Sequence, residues 1–171
     1  WITWRGTNSI WQRIFDFGRN QATNANEEFA EDQFNATGAS YLMLTPRASA
    51  TGNPLRLSGK QGTGSEPVLD AAAALPLGVE THFAAVYDPA SGLARLYVNG
   101  QRVASGTAFL PLNRVEDLNN WLGRSQWSSD AFFAGSFNEF RIYDGALLDD
   151  EVLASYAAGP NNFAGVKTNG S

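Results

Sequence analysis

The most constraining feature of this sequence is the stretch 132–143, FFAGSFNEFRIY, which runs directly into the acidic segment DGALLDDEVLASYAA. Its aromatic and β-branched residues, Phe140 among them, fit a half-buried pleated surface. Gly135 interrupts the run and indicates a bend or a bulge. The carboxylates at 149–151 lie where the first turn of a helix favours negative charge. We therefore predict a long final strand with Phe140 in the core, followed by one short helix.

Short strand candidates recur between turn signals along the rest of the chain. They are WITW at 1–4, WQRIFDFG at 11–18, YLMLTP at 41–46, LRLSG at 55–59, THFAAVYD at 81–88 and NNWLGRS at 119–125. Asn99-Gly100 supplies the positive φ angles of a two-residue turn, so residues 92–106 are predicted to form a β-hairpin. Residues 19–39 are polar without strand periodicity and indicate a long loop. Many short strands and one helix predict an all-β fold, an antiparallel jelly-roll sandwich.

Composition limits the classes of function. The 171 residues suit one domain with a sizeable core. A net charge of -5 argues against nucleic acid or an anionic membrane as partner, since both require clustered Lys and Arg. No apolar stretch is long enough to insert across a bilayer. The absence of cysteine excludes disulfides, thiolate catalysis and cysteine metal sites.

Catalytic chemistry finds little support in the sequence. Glycoside hydrolysis needs two carboxylates facing one groove. The acids at 27–32 belong to the polar loop, those at 149–151 to a helix start, and Asp16 and Glu139 are single acids on their strands. His82 is the only histidine, without a Gly-x-Ser-x-Gly elbow, and we interpret it as a satisfied structural residue. We expect a protein that is not an enzyme.

Four segments together resemble the laminin-G-like, concanavalin A-like jelly-roll modules of bacterial secreted glycoside hydrolases and surface proteins. They are 11–18, 41–46, 81–104 and 119–152, in the order that the family shows. The sequence departs from the family at Phe137-Asn138-Glu139, where Ile-Asp-Glu is frequent, and at Glu80-Thr81-His82, where a Trp is common before the His.

The resemblance implies a laminin-G-like domain over residues 1–160 and a tail or linker over 161–171. It implies a non-catalytic module that binds a glycan or glycoprotein, or mediates adhesion, as part of a larger secreted or cell-surface protein. Members begin with one or two strands upstream of the position of Trp1, so we expect this chain to be a piece of a longer polypeptide. Two alternatives stay open: a structural spacer without a glycan site, and a hydrolase or lyase on the same scaffold.

Sugar binding would use aromatic faces together with polar side chains that hold hydroxyl groups. The candidate ligand-binding residues are Trp127, Arg124, Trp4, Trp11, Arg13 and Arg19. Trp127 is the most suggestive because it lies in a polar turn, although a tryptophan folded onto the edge of the sandwich explains it equally well. Arg13 follows Trp11 on the same face of the predicted strand, which places a cation beside an aromatic ring.

A structural calcium ion occurs in many relatives, and calcium prefers oxygen ligands. The candidate metal ligands are Asp16, Asn138 and Glu139, with loop oxygens around Asn24 and Asn26. The alternative pairs Asp16 with Arg13 and Glu139 with Arg141. For Arg141 we favour a stacked, salt-bridged position between two strands.

Overall fold

The computed structural model describes residues 1–7, 9–21, 36–107 and 109–162. Its strands are β1 (Ile2–Trp4), β2 (Phe15–Asn20), β3 (Gly38–Thr45), β4 (Arg56–Gln61), β5 (Val68–Asp70), β6 (Glu80–Thr81), β7 (Phe83–Asp88), β8 (Leu93–Val98), β9 (Gln101–Gly106), β10 (Asn119–Leu122) and β11 (Gly135–Phe137). One 3-10 turn (Leu112–Arg114) and one helix, α1 (Asp149–Ala158), complete the described elements. The predicted all-β class with a short C-terminal helix is confirmed.

The strands form two layers. The first layer is a five-stranded antiparallel sheet in the order β10-β2-β3-β4-β5. The second layer consists of two three-stranded sheets, β11-β1-β6 and β7-β8-β9. Phe15 and Leu44 of the first layer pack with Ile2 and Leu96 of the second in one hydrophobic core. Alternate residues of a strand point to opposite faces, so the other face of the five-stranded sheet points away from this core.

The predicted hairpin is confirmed. β8 and β9 pair on either side of Asn99 and Gly100, whose φ angles are 49° and 76°. Helix α1 packs on the outer side of the same sheet, where its fully buried Val152 joins Val86 and Tyr97. The helix therefore lies on the opposite side of the sandwich from the outer face of the five-stranded sheet.

Three predicted strands are wrong in extent. The long final strand is reduced to Gly135–Phe137, because its ladder with β1 ends at Ile2 and Ile142 is 79% exposed. The strand predicted over 11–18 begins only at Phe15, since the φ of Trp11 is 63° and an extended strand does not contain that conformation. The stretch 81–88 is divided at His82 into β6 and β7.

Candidate functional site

The outer face of the five-stranded sheet carries polar side chains in register. Asp16 on β2 lies directly opposite Trp121 on one side and Met43 on the other. Arg56 on β4 lies opposite Asp70 on β5. Residues directly opposite in an antiparallel pair share a face, so these side chains form one surface on the side away from Phe15.

Arg13 is at the centre of this surface, with a side chain only 2% exposed. Its Nε donates to Asp16 Oδ2 at 3.1 Å, its Nη2 contacts Asp130 Oδ2 at 3.0 Å, and its Nη1 donates to the Trp11 carbonyl at 2.5 Å. The guanidinium carbon is 5.7 Å from the Trp11 ring and 5.4 Å from the Trp127 ring. We call these five residues, Trp11, Arg13, Asp16, Trp127 and Asp130, the outer-face cluster.

Burial governs the electrostatics of the cluster. It raises the pKa of Asp16 to about 7, against the opposing effects of Arg13 and of the Gln126 amide, which donates to Oδ2 at 3.0 Å. It also raises the pKa of Asp130. Asp16 is 0% exposed, and its Oδ1 has no hydrogen-bond partner among the described residues. Both acids bind one buried guanidinium, which is unlike the open carboxylate pair that hydrolysis requires.

Trp127 is folded over the sheet. Its ring lies 4.8 Å from that of Tyr41, edge to face, and its amide donates to Ser125 Oγ at 3.1 Å. Only glycine fits beneath it, because a Cβ on Gly38 would come within 2.4 Å of the indole. The ring packs on the edge of the sandwich and is half-buried, and ligand binding by Trp127 stays a prediction.

Trp11 forms the half-buried rim of the cluster. A φ of 63° is rare for a bulky side chain and costs about 1–3 kcal/mol. Its amide donates to the Arg47 carbonyl at 3.0 Å. The guanidinium carbon of Arg56 lies 5.8 Å from its ring, and Arg56 binds both carboxylate oxygens of Asp70 at 2.7 Å.

Sequence analysis missed three members of this surface: Arg56, Asp70 and Asp130. The first two could have been found by pairing LRLSG with VLD as a hairpin, since the register places them opposite each other. Asp130 gives no such signal, because it reaches Arg13 from a loop.

The other predicted ligand-binding residues lie outside the outer-face cluster, although Arg124 stacks on Trp121 of the same face. Trp4 is 2% exposed in the core, where its indole N–H donates to Gln12 Oε1 at 2.8 Å. Arg124 lies 4.5 Å above the Trp121 ring, and Arg19 is salt-bridged to Glu116. Trp4 therefore does not converge with Trp127 and Arg124 on one open surface.

The predicted metal ligands have protein partners. Asp16 binds Arg13, Asn138 Nδ2 donates to Glu80 Oε1 at 2.7 Å, and Arg141 binds Glu139. The described ranges contain no group of three His, Cys, Asp or Glu side chains that could hold a metal ion. Asn24 and Asn26, like the acids at 27–32, lie outside the described residues. These side chains are a poor fit to one calcium site, and calcium stays a prediction.

A second candidate region is an apolar cleft of about 810 Å³ between the two layers. Inner-face side chains such as Phe17 and Phe83 line it, together with the segment 139–147. Arg141 lies at its side, 4.6 Å from the Trp1 ring and bound to both carboxylate oxygens of Glu139. The stacking and the salt bridge predicted for Arg141 are confirmed, but its predicted position between two strands is not, since Trp1, Glu139 and Arg141 lie outside the described strands.

His82 lines this cleft and is 5% exposed. Its ring packs 4.4 Å from that of Trp1 and 5.8 Å from that of Tyr156. Its Nδ1 is buried without a partner among the described residues, so the prediction of a fully satisfied histidine is wrong. Burial lowers the pKa of His82 to about 4, which keeps the ring neutral near pH 7. The contacts observed for the ring are packing contacts with aromatic side chains.

These two regions belong to a scaffold with known relatives. Residues 1–153 match the family described as the concanavalin A-like lectin/glucanases superfamily, of laminin G type. The chain belongs to this family. No sequence among the curated proteins matches it significantly.

Solved structures show the same jelly roll. The CBM40 module of the Ruminococcus gnavus IT-sialidase bound to α2,3-sialyllactose has a TM-score of 0.64 at 20% identity, over 90% of this chain and 78% of that chain. The same module bound to α2,6-sialyllactose has a TM-score of 0.62 at 21% identity, over 90% and 79%. A heptameric SAP-like pentraxin from Limulus polyphemus has 0.53 at 12%, over 94% and 82%. At these identities the likeness shows the fold.

Within its described residues, the chain has no helix that could span a membrane.

Proposed function

We propose that this chain is a non-catalytic carbohydrate-binding module whose ligand site is the outer face of the five-stranded sheet. The observation that carries the proposal is the half-buried Trp11 ring beside the solvent-accessible Arg56–Asp70 pair. An aromatic face next to groups that donate and accept hydrogen bonds is what a pyranose ring requires. The R. gnavus CBM40 module binds two sialyllactoses on the same scaffold, which supports the proposal.

The buried members of the outer-face cluster support this site from below. Arg13 fixes the Trp11 carbonyl and lies close to both indole rings, while Asp16 and Asp130 neutralise its charge. The same burial argues against hydrolysis, because Asp16 is wholly inaccessible to a substrate. As a module of a larger secreted or cell-surface protein, the chain would hold a glycan or glycoprotein for a neighbouring domain.

Glycan titration followed by NMR tests this proposal. Wild-type protein is titrated with neutral oligosaccharides and with both sialyllactoses, and Trp11→Gly is the test variant because glycine accepts the positive φ. We expect Trp11→Gly to weaken binding by about tenfold or more, because the aromatic platform is lost. Tyr156→Ala is the matched control, since it removes an aromatic ring from α1 on the opposite side of the sandwich.

Two results would contradict the proposal. Failure of every glycan to bind at millimolar concentration would favour the alternative of a structural spacer without a glycan site. Release of reducing ends from a polysaccharide would favour the alternative of a hydrolase or lyase on this scaffold. Calcium is tested in the same series: melting temperature and affinity unchanged by EDTA would remove it from the proposal.

A further inference from the structure

Two arginine forks of the outer face, those of Arg56 and Arg13, are already bound to carboxylates. Both Nε and Nη2 of Arg56 lie 2.7 Å from the two oxygens of Asp70. Arg13 uses Nε, Nη1 and Nη2 on Asp16, Trp11 and Asp130, and is buried. A sugar carboxylate is best recognised by an open guanidinium fork, which presents two parallel N–H donors. An acidic sugar would therefore have to displace Asp70 and then lie beside its negative charge.

The surroundings of this pair also oppose an anion. The pKa of Arg56 is raised by its hydrogen bonds to Asp70 and, to a smaller extent, by the negative charge of Glu66. Ser58 Oγ donates to Glu66 Oε1 at 2.5 Å, which fixes that carboxylate near the same edge of the sheet. Against these two carboxylates, β4 carries only one further cation on this face, Lys60. The net charge of -5 for the chain adds a general repulsion of anionic ligands.

The same pair suits neighbouring hydroxyl groups. A hydroxyl donates one hydrogen bond and accepts others, so two adjacent hydroxyls can donate to a carboxylate and accept from a guanidinium at once. Asp70 is 32% exposed and Arg56 is 16% exposed, so a ligand reaches both side chains. The Trp11 ring beside Arg56 supplies the apolar surface for the carbon face of the sugar.

We infer that the Arg56–Asp70 pair selects an uncharged glycan through two neighbouring hydroxyl groups and disfavours sialylated glycans. This inference rests on the proposed function and names the ligand class of that site. It separates the chain from the R. gnavus modules of the same fold, whose bound ligands are sialyllactoses.

Competition between two glycan classes tests the inference. The wild-type chain is titrated with a panel of neutral oligosaccharides (lactose, maltotriose, cellotriose and mannotriose) and with 3′- and 6′-sialyllactose. We expect at least one neutral glycan to bind about tenfold more tightly than either sialyllactose, because the acidic sugar would have to displace Asp70. The neutral complex is also expected to keep its affinity between low and high salt, since no charge on the ligand is screened.

The variant Asp70→Asn sharpens this test because it opens the fork of Arg56. We expect it to weaken the neutral glycan about tenfold and to strengthen both sialyllactoses. Asp150→Asn on α1 removes the same charge far from the site and is the matched control, with both affinities unchanged.

The outcomes separate the two proposals. Tighter binding of sialyllactose to the wild type, or an Asp70→Asn variant indistinguishable from Asp150→Asn, would overturn the inference and leave glycan binding intact. Binding of no glycan would overturn both.

Discussion

The outer-face cluster and the apolar cleft both bury ionisable side chains, but the cluster pairs its charges whereas the cleft holds a neutral group. In the cluster, two carboxylates surround the guanidinium of Arg13, and two indole rings cover it. The neutral ring of His82 lies among aromatic side chains and lines the cleft of about 810 Å³. The cluster depends on charges that are buried together, whereas the cleft keeps its buried ionisable ring neutral and carries its ion pair, Arg141–Glu139, at its side. Stability should therefore respond strongly to charge changes in the first region and only weakly to the removal of side-chain volume beside the second.

The largest expected effect comes from removing the central cation. Arg13→Met should lower the free energy of unfolding by about 3–5 kcal/mol, because it leaves two desolvated carboxylates without their counter-ion. Urea unfolding measures this loss. Arg141→Met beside the cleft is the matched change, and a smaller loss is expected there because water reaches the Glu139 carboxylate. Equal losses in the two variants would break the contrast between the regions.

Aromatic truncation tests the packing difference. Phe15 is 5% exposed in the core, and Phe15→Ala should cost about 3–5 kcal/mol. Phe140 is half-buried, lines the cleft and touches Phe15 edge to face at 6.1 Å. Phe140→Ala should therefore cost only about 2 kcal/mol, since less area returns to water and space already exists beside it. Urea melts that give Phe140→Ala the larger loss would show that the cleft is filled in solution.

The smallest effects are opposite slopes of stability against pH. The pKa of Asp16 is raised from 3.8 to about 7, so the folded state holds this proton more tightly and stability falls as pH rises through that window. The pKa of His82 is lowered from 6.5 to about 4, so the folded state holds its proton less tightly and stability rises with pH over that range.

Single variants separate these two slopes. Each variant removes one of the two contributions. Asp16→Asn should therefore shift the slope of stability against pH between pH 4 and 6.5 to a more positive value, and His82→Gln should shift the same slope to a more negative value. Melting temperatures measured at several pH values give both slopes. Parallel curves for wild type and Asp16→Asn would mean that Asp16 titrates normally in the folded protein.

The sequence predicts the sandwich because its signals are local. Asn99-Gly100 requires positive φ angles at two consecutive residues, and the resulting hairpin follows directly. In the segment 15–17 apolar and polar residues alternate, which places Phe15 on the inner face without any knowledge of the rest of the chain. The final strand was overestimated because its pattern meets the requirements of a strand while the observed ladder partner ends opposite Phe137.

The outer-face cluster could be predicted only in part, because it depends on contacts distant in sequence. Trp11, Arg13 and Trp127 were candidates by residue type, but Asp130 joins Arg13 from a loop more than a hundred positions away. Trp4 was a candidate on the same grounds and lies in the core, since residue type does not reveal the face of a strand. Local pairing predicts that Arg141 binds Glu139, because the two residues are neighbours on one segment.

The left-handed backbone of Trp11 has a consequence for how a ligand would bind. The Arg13 hydrogen bond to its carbonyl and the Arg47 carbonyl on its amide fix the backbone of Trp11, and the guanidinium carbons of Arg13 and Arg56 lie 5.7 and 5.8 Å from its ring. Such preorganisation lowers the conformational entropy that association must remove. A sugar that binds at Trp11 would therefore find the aromatic surface already formed, and we expect the backbone at Trp11 to stay the same on binding.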